Sequence, residues 1–147
     1  MYGSYNAVRL MHAFHLDLLT RFPLCKKANL FGFSRGGLYA FNYSLFYPEY
    51  VDKVYLDAPV LDLASWPWED SPEQAGMLEE YCLTKDTLKK FKGSPVYNFK
   101  EFFSNKLPLL VIAGGSDEVV KFEENAGKLI DYATKNGENI KYTVKPE

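Results

Sequence analysis

The sequence lacks the features that mark secreted, membrane-spanning or nucleic-acid-binding proteins. It has only two cysteines, Cys25 and Cys82, and no C-x-x-C pair, so we expect reduced thiols rather than a disulfide framework. The net charge is −2 and there is no basic block, which argues against nucleic-acid or anionic-membrane partners. No apolar run reaches the roughly 20 residues needed to cross a bilayer, and the first residues lack a signal-peptide pattern. These absences predict a cytoplasmic protein.

Aromatic residues are abundant, and apolar segments of two kinds alternate along the chain. The 147 residues include 11 Tyr, 11 Phe and 2 Trp, enough for one domain over residues 1–147 with an apolar pocket. Short apolar runs predict strands at 28–33, 51–56, 109–113 and 140–144, and helical periodicity predicts helices at 5–20, 36–47 and 122–135. This alternation favours an α/β fold, a parallel sheet with helices on both faces. The first strand, which is apolar after its start, is expected to be buried on both faces.

Residues 62–106 interrupt this alternation. They contain both tryptophans, Trp66 and Trp68, several prolines, and two predicted short helices near 71–82 and 84–92. A segment inserted after the second strand should lie beside the carboxyl ends of the strands, where ligands bind in open α/β sheets. We therefore interpret it as a cap, with the two tryptophans in the wall of a substrate pocket.

The most informative motif is Gly32-Phe33-Ser34-Arg35-Gly36, a G-x-S-x-G sequence between a predicted strand and a predicted helix. In that setting the serine occupies a sharp turn that exposes its hydroxyl, and the helix N-terminus favours a nearby oxyanion. We expect Gly32 and Gly36 to leave space where strand and helix pass closely. Ser34 is therefore the candidate nucleophile, and the backbone N–H of Arg35 is a candidate oxyanion donor.

A serine nucleophile needs a base, and the base needs an acid to orient it. Asp117 follows the third predicted strand and has the right position in the chain order Ser, acid, His, although an aspartate there also commonly forms an Asx turn or N-cap. Asp57, directly after the second strand, is the rival acid and is also expected to shape the pocket floor. Glu118 is a weaker candidate.

The general base is the catalytic group that these residues do not supply. The only histidines, His12 and His15, precede Ser34 on a helix expected to pack on a face of the sheet, so we interpret them as structural. The second oxyanion donor ordinarily comes from a loop after an earlier strand, which this sequence does not contain. The Arg35 side chain could equally anchor loops or meet substrate.

Four segments carry a resemblance to a known family: GFSRGGLYA at 32–40, YLDAPV at 55–60, SWP at 65–67 and AGGSDEVV at 113–120. Together they resemble a subgroup of bacterial α/β-hydrolases of serine esterase or prolyl-oligopeptidase-like type. The resemblance implies Ser34 as nucleophile and Asp117 as acid. It also implies that the chain corresponds to the C-terminal part of that fold. The N-terminal strands would then precede Met1, and the catalytic histidine would lie a few residues beyond Glu147.

The sequence thus predicts a serine hydrolase that cleaves an ester or related acyl bond through an acyl-Ser34 intermediate. Its partner would be a small-molecule ester or acyl substrate, and neither a cofactor nor a metal is expected. Two alternatives remain: an inactive α/β fragment that acts as a binding module, and an acyltransferase on the same scaffold. If only the four predicted strands are present, the strand that carries Ser34 has an open edge, which is a site for self-association.

Overall fold

The computed structural model describes residues 1–146 and contains one parallel four-stranded sheet. The strands are β1 (Ala28–Phe33), β2 (Val51–Asp57), β3 (Leu109–Gly114) and β4 (Ile140–Lys145), and they lie side by side in chain order. The helices are α1 (Tyr5–Arg21), α2 (Gly36–Phe46), α3 (Pro72–Glu80), α4 (Lys85–Leu88), α5 (Phe99–Ser104) and α6 (Ala126–Asn136). Three short 3₁₀ turns lie at Pro48–Tyr50, Pro95–Tyr97 and Phe122–Glu124. The predicted α/β class is confirmed, and α5 is the helix that the sequence did not predict.

The prediction of helices on both faces of the sheet is wrong. Helices α1, α2, α5 and α6 all contribute to one hydrophobic core with the same face of the sheet, through Val8, Phe41, Phe102, Leu129 and their neighbours. The reason is the strand order. Parallel crossovers are right-handed, so successive crossovers that all advance in one direction place their helices on one face. Helices on both faces would need a reversal of strand order, and the described residues contain none.

The opposite face of the sheet is consequently open, which corrects the prediction that β1 is buried on both faces. Along β1 the alternate residues Leu30 and Gly32 are buried, whereas Phe31 and Phe33 are 64% and 61% exposed. The same alternation continues on β3, where Leu109 and Val111 are buried and Leu110 is exposed. The apolar residues of β1 therefore lie on two different faces of the sheet, one buried and one exposed.

The helices pack on the buried face through aromatic and branched side chains. Phe41 and Phe102 stack with ring centroids 4.5 Å apart, which joins α2 to α5 at the centre of the core. Helix α1 buries only Ala7 and Val8, and its Phe14 is 61% exposed. Helix α6 ends at Gly137, whose φ of 67° is the left-handed conformation that suits glycine at a helix C-terminus.

The segment between β2 and β3 forms a second, smaller hydrophobic cluster. Leu63, Met77 and Leu88 from this segment pack with Leu38 of α2 and with Val120, which follows β3. Because Leu38 and Val120 both lie just past the carboxyl ends of their strands, the cluster covers that end of the sheet. Ser71 is the N-cap of helix α3, and its side chain accepts a hydrogen bond from the backbone N–H of Gln74.

Candidate active site

Ser34 occupies a strained turn between β1 and α2. Its φ is 52°, a left-handed conformation that a serine adopts only where the surroundings enforce it. Three backbone hydrogen bonds of 2.9 Å hold it there: its N–H donates to the carbonyl of Asp57, and its carbonyl accepts from the N–H groups of Gly37 and Val60. The turn is therefore fixed from both the neighbouring strand and the following helix.

Close approach of other atoms explains two glycines near this turn, Gly32 and Gly37, whereas the sequence suggested Gly32 and Gly36. A Cβ at Gly32 would lie 2.8 Å from the carbonyl oxygen of Gly36 and 2.9 Å from Cβ of Ala40, so the strand residue must be small. A Cβ at Gly37 would lie 2.6 Å from Cβ of Pro59. At Gly36 a Cβ would meet nothing within 4 Å, so the expectation for Gly36 is wrong. The residue that α2 requires to be glycine is the next one, because it faces the loop after β2.

Arg35 is the N-cap residue of α2, and its backbone N–H has no hydrogen-bond acceptor among residues 1–146. An N–H that follows the serine and lies unpaired at a helix N-terminus is geometrically available to an oxyanion. The guanidinium instead lies over the ring of Tyr2, 5.8 Å from its centroid. The side chain thus makes a cation–π contact with the segment before α1.

Asp117 lies three residues beyond β3 and closes an Asx-type turn. Its Oδ1 accepts hydrogen bonds of 2.9 Å from the backbone N–H groups of Val119 and Val120. Its second oxygen, Oδ2, accepts none from the part of the chain that the structure describes. The turn fixes the carboxylate and leaves one oxygen able to accept a further donor. An Asx turn at Asp117 is therefore compatible with a role of the same carboxylate in orienting a base.

The strand order sets the separation between Ser34 and Asp117. They follow β1 and β3, with β2 between them, so the strand ends that carry them are two strand spacings apart, roughly 10 Å. Two hydrogen bonds of about 2.8 Å with an imidazole ring between them would account for most of that distance. Both residues emerge at the carboxyl edge of the parallel sheet.

Asp57, between them, supports the site through its backbone. Its carbonyl accepts from Ser34, but its side chain lies on the open face of the sheet, where Oδ2 accepts a 2.7 Å hydrogen bond from the hydroxyl of Tyr55. This bond, with partial desolvation, raises the pKa of Tyr55. A role for Asp57 in a substrate pocket stays a prediction.

The two histidines bond to one buried tyrosine. Nδ1 of His12 and Nδ1 of His15 lie 3.0 and 2.7 Å from the hydroxyl of Tyr43, and His12 stacks on Tyr47 with centroids 3.8 Å apart. Burial and the neighbouring His15 lower the pKa of His12. These contacts lie towards the C-terminal end of α2, whereas Ser34 precedes its N-terminal end. Neither histidine makes a hydrogen bond with Ser34.

Trp66 and Trp68 line a shallow cavity of about 210 Å³. Trp68, 60% exposed, also lines a second cavity of about 270 Å³. That cavity contacts the Asp117 turn through Val119 and Lys121 and includes the lysines Lys85 and Lys89. Ser34 lines neither cavity. Trp68 therefore borders space beside the turn of the candidate acid, whereas the cavity that Trp66 lines does not include that turn.

Asn125 is a site-supporting residue that the sequence did not reveal. It is 1% exposed, and its Oδ1 accepts from the backbone N–H groups of Leu61 and Asp62 at 2.8 and 3.0 Å. Its Nδ2 donates to Ser65 Oγ and to the carbonyl of Lys121. One side chain thus joins the start of the cap to the segment after Asp117. An asparagine before a helix normally indicates a cap, so no local signal distinguishes this role.

Comparison with solved structures bears on the fold. The chain is similar to a protein described as a thermostable esterase, with a TM-score of 0.64 and 15% sequence identity. The match covers 95% of this chain and 28% of the esterase chain. The α/β fold is shared with an esterase. No protein-family model and no curated sequence matches the chain.

Residues 1–146 contain neither a membrane-spanning helix nor a metal cluster. No helix among them is both long and apolar enough to cross a membrane. No group of three or more His, Cys, Asp or Glu side chains within that range is arranged to hold a metal ion.

Proposed function

We propose that this chain carries the nucleophile and the acid of a serine hydrolase that cleaves an ester or related acyl bond. The observation that carries the proposal is the Ser34 turn: a serine at φ 52°, held by three backbone hydrogen bonds between a strand and a helix. Strained backbone that is enforced from several sides is concentrated at functional sites. The fold shared with an esterase supports the same class of reaction.

In the proposed reaction the Oγ of Ser34 attacks the carbonyl carbon of the substrate. An imidazole takes the hydroxyl proton, and the backbone N–H of Arg35 donates to the oxyanion that forms. Collapse of this intermediate breaks the bond to the leaving alcohol, which accepts the proton from the imidazolium, and leaves an acyl-Ser34 ester. Water, deprotonated by the same imidazole, then attacks the ester, releasing the acid and restoring Ser34.

Asp117 is proposed as the group that orients this imidazole. Its Oδ1 is held by two backbone N–H groups, while Oδ2 could accept the remaining ring N–H. The histidine itself is proposed to lie outside these 147 residues, because His12 and His15 are both bonded to Tyr43.

Exogenous imidazole provides a test with the chain as it is. A fluorophosphonate probe should label the protein slowly alone and faster when imidazole is added, because the free base can occupy the gap between Ser34 and Asp117. Ser34→Ala should abolish labelling, and Asp117→Asn should retain basal labelling but lose the acceleration. Ser104→Ala, an exposed serine on α5, is the matched control and should behave as the unaltered protein. Labelling that survives Ser34→Ala would contradict the proposal.

A binding module without catalysis is the second candidate, and the separation of both histidines from Ser34 favours it. Loss of one member of a triad leaves only a small residual rate enhancement. The two candidates differ in the labelling experiment, since a binding module gives no Ser34-dependent acceleration by imidazole. Acyl transfer is the third, distinguished by an acceptor alcohol that increases turnover of a labelled ester.

A further inference from the structure

A cavity of about 420 Å³ lies between the start of α1, the C-terminal half of α2 and the cap. Its α2 residues are Asn42, Leu45 and Phe46, and neither Ser34 nor Asp117 lines it. Small-molecule sites commonly enclose about 300–1,000 Å³. The cavity is therefore of ligand size and separate from the candidate active site.

Asn42 borders this cavity although only 5% of the residue is exposed. Its Nδ2 donates a 2.8 Å hydrogen bond to the carbonyl of Gly3, and this partner fixes the orientation of the amide. Its Oδ1 accepts no hydrogen bond from residues 1–146, yet no fully buried side-chain nitrogen or oxygen atom in that range lacks a partner. The unpaired oxygen therefore faces the cavity, where it can accept a hydrogen bond from a ligand.

The other buried or half-buried polar side chains of the cavity also use their donors on the protein. Nδ2 of Asn98 donates to two backbone carbonyls of the cap, at 3.0 and 3.4 Å, and its Oδ1 accepts nothing from the part of the chain that the structure describes. The hydroxyl of Tyr81 donates to the carbonyl of Tyr2, and the hydroxyl of Ser4 donates to Oε1 of Glu80. The cavity therefore offers hydrogen-bond acceptors, and a ligand has to supply the donors.

Glu80 is the only charged side chain among the described residues that line the cavity, and it is 22% exposed. The N-terminus of α1 also borders the cavity, but a helix end carries only about half a unit of positive charge, less than a carboxylate. The terminal ammonium of Met1, which does not line the cavity, lies 4.0 Å from Oε2 of Glu80. A primary ammonium can therefore approach this carboxylate.

Four aromatic rings in the cavity lining form two edge-to-face pairs. Tyr5 and Phe46 have ring centroids 5.5 Å apart, and Tyr81 and Phe91 have centroids 5.4 Å apart. Aromatic faces attract cations, and aromatic rings also pack well against other flat apolar groups. The rings therefore suit a ligand that is both cationic and partly aromatic.

We propose that this cavity binds a small molecule with a primary ammonium group on an aromatic body. The three N–H groups of such an ammonium match the three acceptors, the carboxylate of Glu80 and the amide oxygens of Asn42 and Asn98. An anion would face the same three acceptors with no cationic side chain opposite it. A quaternary ammonium would contact the rings but leave the buried amide oxygens unpaired. The site goes beyond the proposed hydrolase activity and does not depend on it.

NMR titration of the isotope-labelled chain with phenethylammonium tests this proposal. The side-chain amide signals of Asn42 and Asn98 and the backbone signal of Gly93, which lines the cavity, should shift together and saturate. We expect a Kd of about 1 mM, which is usual for a ligand of this size. Gly137, beyond α6, is the reference and should not shift. The absence of a saturable shift at the cavity, or an equal shift at Gly137, would overturn the proposal.

Glu80→Gln tests the charge, because it keeps the size of the side chain and should weaken binding by about tenfold. Glu79→Gln is the matched control: this neighbouring glutamate on α3 is exposed and does not line the cavity, so affinity should be unchanged. Ser34→Ala should also bind as the unaltered chain does, and loss of binding there would place the ligand at the candidate active site instead. Circular dichroism establishes that each variant is folded. Equal affinities of Glu80→Gln and the unaltered chain would refute the proposal.

Three analogues test the same chemistry without altering the protein. Phenethyl alcohol has no charge, phenylpropanoate has the opposite charge, and phenethyltrimethylammonium has the charge but no N–H group. Each should bind more weakly than phenethylammonium, and phenylpropanoate should give no saturable shift. An affinity for any of the three that equals that of phenethylammonium would contradict the assigned ligand class.

Discussion

Two adjacent glycines at the start of α2 should respond in opposite ways to the same substitution. At Gly36 an added Cβ meets nothing within 4 Å. Gly36→Ala should therefore stabilise the protein by about 0.5–1 kcal/mol, because alanine restricts the unfolded chain and favours the helix.

At Gly37 the same methyl group would lie 2.6 Å from Cβ of Pro59, 2.9 Å from its Cα and 3.0 Å from the carbonyl oxygen of Val60. Two of these three atoms are backbone and cannot move aside as a flexible side chain would. We estimate an overpacking cost of about 3 kcal/mol, so after the alanine gain Gly37→Ala should destabilise by about 2 kcal/mol.

Urea unfolding followed by circular dichroism measures the difference. The two variants should differ by about 3 kcal/mol, which at a slope of about 2 kcal/mol per molar urea separates their midpoints by roughly 1.5 M. Fluorophosphonate labelling in the presence of imidazole is a second measurement. Gly36→Ala should be labelled as the unaltered protein is, because this substitution should leave the Ser34 turn intact. Equal midpoints, or a less stable Gly36→Ala, would show that the close approach at Pro59 does not constrain this turn.

Two further predictions concern buried polar groups. Asn125→Ala should lower the free energy of unfolding by about 2–5 kcal/mol, because it leaves two buried backbone N–H groups unpaired. Asn136→Ala, on the exposed end of α6, should change the free energy of unfolding by less than about 0.5 kcal/mol. Equal effects of the two substitutions in urea unfolding would contradict this prediction. Burial raises the pKa of Tyr43 to about 12. The unfolded chain therefore loses this proton first, near pH 10, so stability is complete below about pH 10 and falls as pH rises towards 12. The free energy of unfolding should fall by about 1.4 kcal/mol at about pH 11 because of this group. Between about pH 9 and about pH 11, Tyr43→Phe should therefore lose correspondingly less stability than the unaltered protein. Parallel pH dependences of the two proteins would refute the raised pKa of Tyr43.

The elements of the fold were predictable because their signals are local. Strand β1 has the predicted bounds, and the other strands and the main helices differ from prediction by a few residues. Helix α5 was missed because its six residues are too few to show a helical period, and it forms by packing Phe99, Phe102 and Phe103 into the core. The Ser34 turn was predictable from the local G-x-S-x-G motif between strand and helix, although hydrogen bonds with the more distant Asp57 and Val60 also hold it.

Which residues of the site depend on one another was not predictable, because those contacts join distant parts of the chain. The sequence by itself determined the class of fold, the serine turn and the strand ends at which Ser34 and Asp117 lie. Only the tertiary structure decided that Gly37 rather than Gly36 faces Pro59, that Asn125 joins the cap to the acid turn, and that one face of the sheet is open. Burial of an apolar strand depends on what covers each of its faces. That follows from strand order and the handedness of crossovers, neither of which is written in the residues of the strand itself.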